Sequence, residues 1–209
     1  MAAILDDTDT LAEGAHWLAA ADPGLARIVE ALPLPPLRRR APGFATLFHA
    51  IAGQQVSTAS AAAIWARLDT AGLTSEAPVL AAGEEGLRAC GLSRPKIRYA
   101  LALAGAGIDF AALAALDDEM LVTRLVALPG IGRWTAEIYG TTALGRADLI
   151  PAGDLALQEA TRLLYGLSER PSEAALRARA AAWSPWRGVA ARLLWSFYAA
   201  EKGREGITS

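Results

Sequence analysis

Apolar residues recur at helical spacing along almost the whole chain, and only clusters of proline and glycine interrupt them. Between 44 and 69, Phe44, Leu47, Phe48 and Ile51 share one helical face. Gly53, Gln54 and Gln55 then break the run before Ala61, Ile64, Trp65 and Leu68 resume it. This segment reads as two helices about a polar junction. The same spacing predicts helices over 24–31, 76–90, 94–106, 109–115, 117–127, 133–144, 155–166, 172–182 and 185–201. Breaks fall at PLPPLRRRAPG (33–43), GLSRP (91–95), LPGIG (128–132) and IPAGD (150–154). Alternation with a period of two is essentially missing, so the predicted fold class is all-α.

A chain of 209 residues, 53% hydrophobic and 20% charged, is long enough to bury a substantial core as one domain or as two lobes. No basic stretch followed by an apolar run opens the sequence, and no run of about 18 apolar residues follows, so a soluble cytoplasmic protein is expected. The single cysteine, Cys90, excludes an intramolecular disulfide and any metal or iron–sulfur site built from several thiolates. Hence no metal is expected on side chains. A formal net charge of −2 does not by itself suggest nucleic acid, whose binding domains are often basic.

LPGIGRWTAEIYG (128–140) stands out because helix stops and restarts within a few residues. Pro129 ends the first helix, whereas Gly130 and Gly132 permit positive φ and leave the next helix's N-terminal N–H groups uncovered. Such a helix start attracts phosphate, positioning a nucleic-acid backbone without reading its sequence. An ordinary tight helix–helix turn accounts for the same glycines.

LPGIGRWTAEI is similar to the helix-hairpin-helix motif of the DNA glycosylase superfamily, in which a Gly/Pro-rich loop and an aspartate follow. Here that loop is IPAGD, and Asp154 lies 22 positions after Gly132. FATLFHAIAGQQVSTASAAAIWARL, GLSRPKIRYALALA and WSPWRGVAARLLW resemble the alkylation-repair branch, 3-methyladenine DNA glycosylase II, in the same order over roughly residues 44–201. The resemblance implies one compact glycosylase unit over 1–209 in a two-lobed helical fold. Lobe one covers about 43–147 with the hairpin, lobe two about 1–42 plus 148–209, and the active-site cleft lies between them. The β-rich N-terminal extension of some relatives has no room if apolar helix begins by about residue 44.

Asp154 matches the family's catalytic aspartate, which answers the oxocarbenium character that develops on deoxyribose as the N-glycosidic bond breaks. It is equally a good N-cap for a helix starting at Leu155. Trp134 and Trp195 match positions lining the base pocket, where indoles stack on a flipped base and attract the positive charge of alkylated purines; core packing is the alternative for each. Ile138 stands where related enzymes can carry tyrosine. At Trp134 the strand-nicking branch of the superfamily has a Schiff-base lysine, which implies a monofunctional hydrolase here.

By resemblance, Gln55 is the wedge that fills the space left by the flipped base, with Gln54 beside it and Ser57 near a phosphate; a helix-capping junction explains them as well. Gly130, Gly132, Arg133 and Lys96 complete the expected DNA contacts, with Arg94, Arg98 and Arg187 as further basic residues for this face. No cofactor is required, although hairpin backbone carbonyls can hold a structural alkali cation. The implied partner is double-stranded DNA carrying a damaged base, the state a monomer, and the location nucleoid-associated in a bacterium. Two other readings stay open: a glycosylase for neutral bases such as hypoxanthine or ethenoadenine, and a non-catalytic helix-hairpin-helix DNA-binding protein.

Overall fold

The computed structural model describes residues 3–203 and, among these, contains twelve α-helices and no strand beyond one isolated bridge between Ile4 and Arg146. The chain divides into two compact units, residues 40–139 and residues 1–39 with 140–209.

The unit of residues 40–139 contains α3 (Phe44–Gly53), α4 (Thr58–Thr70), α5 (Glu76–Ala89), α6 (Arg94–Gly105), α7 (Phe110–Ala115), α8 (Asp118–Val126) and most of α9 (Arg133–Thr142). The helical face read from the sequence is the buried one: Phe44, Leu47, Phe48 and Ile51 of α3, and Ile64 and Leu68 of α4. Short polar caps set the boundaries. Ser57 caps α4 through Ser60 N–H, Asp109 caps α7, and Asp117 caps α8. α5 differs from the single predicted helix, since Gly83 at φ +57° kinks it into two segments.

The other unit contains α1 (Thr8–Ala21), α2 (Pro23–Ala31), α10 (Leu155–Tyr165), α11 (Glu173–Ala180), a 3₁₀ turn (Ala181–Trp183) and α12 (Arg187–Lys202). α1 is absent from the sequence reading. It is a full helix capped by Asp7, and Leu11, Ala15 and Leu18 on its inner face join a core with Leu157, Leu164, Trp183, Trp186, Val189 and Leu193. Asp7 as the cap and Asp9 in the first turn are its N-terminal signal. Gly14 lets α1 approach α12 closely, because a Cβ there would lie 2.6 Å from the Trp186 ring and 2.9 Å from Val189.

α1 and α2 meet at Asp22, which fastens four groups. Its Oδ1 accepts the N–H of Gly24 (2.8 Å) and of Leu25 (3.4 Å), and Pro23 fills the first position of α2, where no N–H is needed. Oδ2 accepts the hydroxyl of Tyr165 (2.8 Å) and the indole N–H of fully buried Trp183 (2.9 Å). Burial favours the protonated carboxyl, but these donors outweigh it and hold Asp22 below the ordinary carboxylate range.

Two expectations follow. Gly14→Leu lowers the unfolding free energy by about 1–3 kcal/mol, the usual cost of overpacking, as read by urea denaturation. For Asp22, the depressed folded-state pKa means that its stabilisation is present above the unfolded value and is lost as pH falls through the folded one. Asp22→Asn, which keeps a capping side chain, therefore shows a flatter loss of melting temperature than wild type between about pH 4 and pH 2.

Candidate active site

IPAGD makes a compact loop before it becomes helix. Ala152 N–H donates to the Ile150 carbonyl and Asp154 N–H to the Pro151 carbonyl, both at 2.9 Å, while Gln158 Nε2 returns to the Ala152 carbonyl at 3.0 Å. Asp154 then caps α10, its Oδ1 accepting from Ala156 N–H (2.9 Å) and Leu157 N–H (3.1 Å). The capping and catalytic readings thus fall on one side chain, since the indole N–H of Trp195 also donates to this Oδ1 at 3.2 Å. Asp154 is 7% exposed, so its carboxylate is sheltered without being sealed.

The approach to this loop is fixed by its contact with α12. Gly188 N–H donates to the Ala147 carbonyl (2.7 Å), and a Cβ on Gly188 would meet the carbonyl oxygens of Arg146 at 2.7 Å and Ala147 at 2.9 Å. Arg187 grips both oxygens of Asp148, Nε at 2.8 Å and NH2 at 2.9 Å, and Ser184 Oγ donates to the same carboxylate at 2.8 Å. Arg187, expected on the basic face, is therefore engaged in positioning this loop. The N-terminal segment backs it, with Leu5 N–H donating to Gly145 and Ala147 N–H to Ala3.

In the other unit the hairpin joins α8 to α9. Gly130 adopts φ +86°, and its missing Cβ leaves room for the Tyr99 ring, whose Cγ would lie 2.4 Å away. Gly132 corrects the sequence reading: its φ is not positive, and a Cβ there would meet nothing within 4 Å, so it supplies open space. Gln54 also departs from expectation. Its Nε2 donates to the Gly130 carbonyl at 2.8 Å, bracing the hairpin turn from the end of α3. Gln55 is exposed at φ +56° beside exposed Val56. Ser57 is the exposed cap of α4.

Lys96 is the clearest correction. It is 8% exposed, and its Nζ donates to the Ala52 carbonyl near the end of α3 at 2.7 Å, so it serves that helix terminus rather than a phosphate. Burial lowers its pKa. Arg133 pairs with fully buried Glu137 and exposed Glu119, each at 2.9 Å, whereas Arg94 and Arg98 are exposed. Trp134 stands 44% exposed on α9.

Sequence reasoning also overlooked the Asp148–Arg187 pair and Arg192. The first leaves no local pattern, because its partners lie 39 positions apart. Arg192 did leave one, a lone charge inside the apolar run VAARLLW. Among the described residues no group of three or more His, Cys, Asp or Glu is placed to hold a metal, and no helix is long and apolar enough to cross a membrane.

Comparison with known proteins agrees with this arrangement. Residues 48–186 match the HhH-GPD superfamily of base excision DNA repair proteins. The chain is 32% identical over 158 residues to DNA-3-methyladenine glycosylase 1 of Schizosaccharomyces pombe, covering 71% of this chain and 69% of that one. It is 32% identical over 203 residues to a probable bifunctional transcriptional activator/DNA repair enzyme AlkA of Mycobacterium tuberculosis, covering 91% of this chain but 40% of that protein. A solved structure of a 3-methyladenine DNA glycosylase from Schizosaccharomyces pombe, in complex with abasic DNA, superposes with a TM-score of 0.76 at 27% identity, over 91% of this chain and 97% of that one. The hairpin, the capping aspartate and its indole donor thus belong to a chain that is a member of the HhH-GPD superfamily of base excision DNA repair proteins.

Proposed function

We propose that this protein is a monofunctional DNA N-glycosylase that removes alkylated purines, of the 3-methyladenine and 7-methylguanine type, from double-stranded DNA. The observation that carries the reading is the Asp154 carboxylate, held on Oδ1 by the first turn of α10 and by the Trp195 indole. In the reaction the C1′–N bond breaks and its electron pair leaves with the base. A base alkylated on a ring nitrogen is already cationic, departs neutral and needs no general acid. The sugar is left with oxocarbenium character, which the carboxylate stabilises. Water then adds at C1′ and loses a proton, giving an abasic site.

A lyase step through a Schiff base lacks its lysine at the hairpin, where Trp134 stands. The sequence has two lysines; Lys96 is buried on the Ala52 carbonyl, and Lys202 sits in the last turn of α12. Trp195 and Trp134 are the proposed stacking surfaces for the flipped base. Gln55 is the proposed wedge, and the N–H groups at the start of α9, with Gly130 and Gly132 before them, are the proposed phosphate contact. Gln54 and Lys96 support the hairpin and α3 instead. Any hairpin cation would rest on backbone carbonyls, of which that of Leu128 also accepts Ile131 N–H and that of Gly130 accepts Gln54. The protein acts as a monomer in this proposal, in the cytoplasm with the chromosome.

The test is release of 3-methyladenine and 7-methylguanine from alkylated duplex DNA, with a gel for strand nicking. Asp154→Asn keeps a capping residue, so the fold stands while release falls by about 100-fold or more and DNA binding persists. Release without nicking by the wild type is expected. If both proteins bind DNA alike and neither releases a base, the binding-module reading replaces this one. Trp195→Phe keeps an aromatic ring but removes the N–H on Asp154; kcat falls by about tenfold with little change in DNA affinity, in single-turnover kinetics.

A further inference from the structure

Arg192 is 4% exposed and has no carboxylate partner. Its NH1 donates to the Leu37 carbonyl and its NH2 to the Thr141 carbonyl at 2.9 Å, while its buried Nε–H has no acceptor. Burial, with Arg39 and Arg38 nearby, pushes its pKa down to about 10, so the guanidinium is still charged at neutral pH. A buried cation balanced only by carbonyls retains donor capacity for a ligand.

A cavity of about 100 Å³ lies in the same unit, its wall including Arg192, Trp195, Thr142, Ser196, Pro35 and Pro36. The rings of Trp195 and the two prolines give apolar surface suited to a flat aromatic ligand. Arg192 supplies charged donors, Arg38 is a second cation of the wall, and no carboxylate belongs to it. The Trp195 indole also donates to Asp154, which ties this cavity to the candidate carboxylate.

The geometry points to this cavity as the receptor for the oxygen-bearing edge of the excised purine, with Arg192 as a specificity-determining residue that favours 6-oxo over 6-amino bases. The inference rests on the glycosylase reading above and names which substrates that site prefers. A 6-oxo group, as in 7-methylguanine or hypoxanthine, offers acceptors to the guanidinium. The 6-amino group of 3-methyladenine brings donors against donors, and rejection of a wrong hydrogen-bonding pattern is the strong form of discrimination. Both methylated purines are cations, so the charge of Arg192 opposes them alike and the hydrogen bond decides between them. Hypoxanthine escapes that repulsion. Its base is uncharged in the nucleotide, so when the C1′–N bond breaks and the electron pair leaves with the base, the base departs as an anion, which the guanidinium stabilises.

The experiment measures single-turnover release of 7-methylguanine, hypoxanthine and 3-methyladenine from duplex DNA by wild type, Arg192→Met and Arg192→Gln, with melting temperatures alongside. Arg192→Met lowers release of the two 6-oxo bases about tenfold or more relative to 3-methyladenine. Arg192→Gln, which keeps a polar side chain and can offer an acceptor, moves the ratio further toward 3-methyladenine. An equal fall for all three bases assigns Arg192 a purely structural role and overturns the inference, leaving the glycosylase reading intact. If neither variant folds, Ala199→Leu, at a further residue of the wall, narrows the cavity with Arg192 in place. It cuts release of the 6-oxo bases about tenfold relative to 3-methyladenine, and an unchanged ratio overturns the inference. A wild type that releases no base overturns both.

Discussion

The backbone of residues 146–149 lies directly against the start of α12, and the site is built on that contact. Gly188 makes it possible by having no side chain where three carbonyl oxygens approach. Arg187 then locks it by gripping Asp148 with two hydrogen bonds, a planar fork on a planar carboxylate. Residues 150–154 have little freedom once their leading strand of backbone is fixed. Asp154 arrives at the N-terminus of α10, and Trp195, two turns further along α12, arrives within hydrogen-bonding reach of it. A chain entering a helix and a chain running along another are brought together by one glycine and one ion pair.

Charge explains why a mildly acidic protein need not be a poor DNA binder. Several basic residues are occupied within the fold: Arg39 with Asp6, Arg88 with Glu84, Arg133 with Glu119 and Glu137, Arg162 with Glu159, Arg177 with Glu173 and Arg187 with Asp148. Most are exposed pairs that contribute only about 0–1 kcal/mol each. Their more important effect is to neutralise acidic and basic groups together, so the net charge says little about the field at any one face. Arg94 and Arg98 remain exposed, and in the proposed function they and the helix-terminal N–H groups meet the phosphate backbone through geometry more than net charge.

Much of the architecture was legible because helical periodicity is a local property. The α3–α4 break, the hairpin between α8 and α9, and the start of α10 at Leu155 all follow from apolar spacing and cap residues. The cap at Asp154 was legible for the same reason, since an aspartate directly before the apolar spacing of α10 is written in the sequence. α1 escaped because Gly14 and three aspartates look like interruption until Trp186 is seen filling the glycine's space. Lys96 shows the other limit. A lysine near two arginines suggests a phosphate contact, yet the carbonyl of Ala52, 44 positions away, claims it. Residue type can be read from a sequence, but which buried carbonyl needs a donor cannot.

Gln55 carries one more consequence. With its φ at +56°, the tip between α3 and α4 is held in a region where side chains branched at Cβ are strongly disfavoured. The backbone therefore filters which residues this position can accept as the protein diversifies. Glycine, asparagine and unbranched side chains pass, while valine, isoleucine and threonine meet a steric barrier whatever their chemistry offers. A substitution at this tip can change the length and polarity of the side chain far more readily than the backbone conformation that carries it.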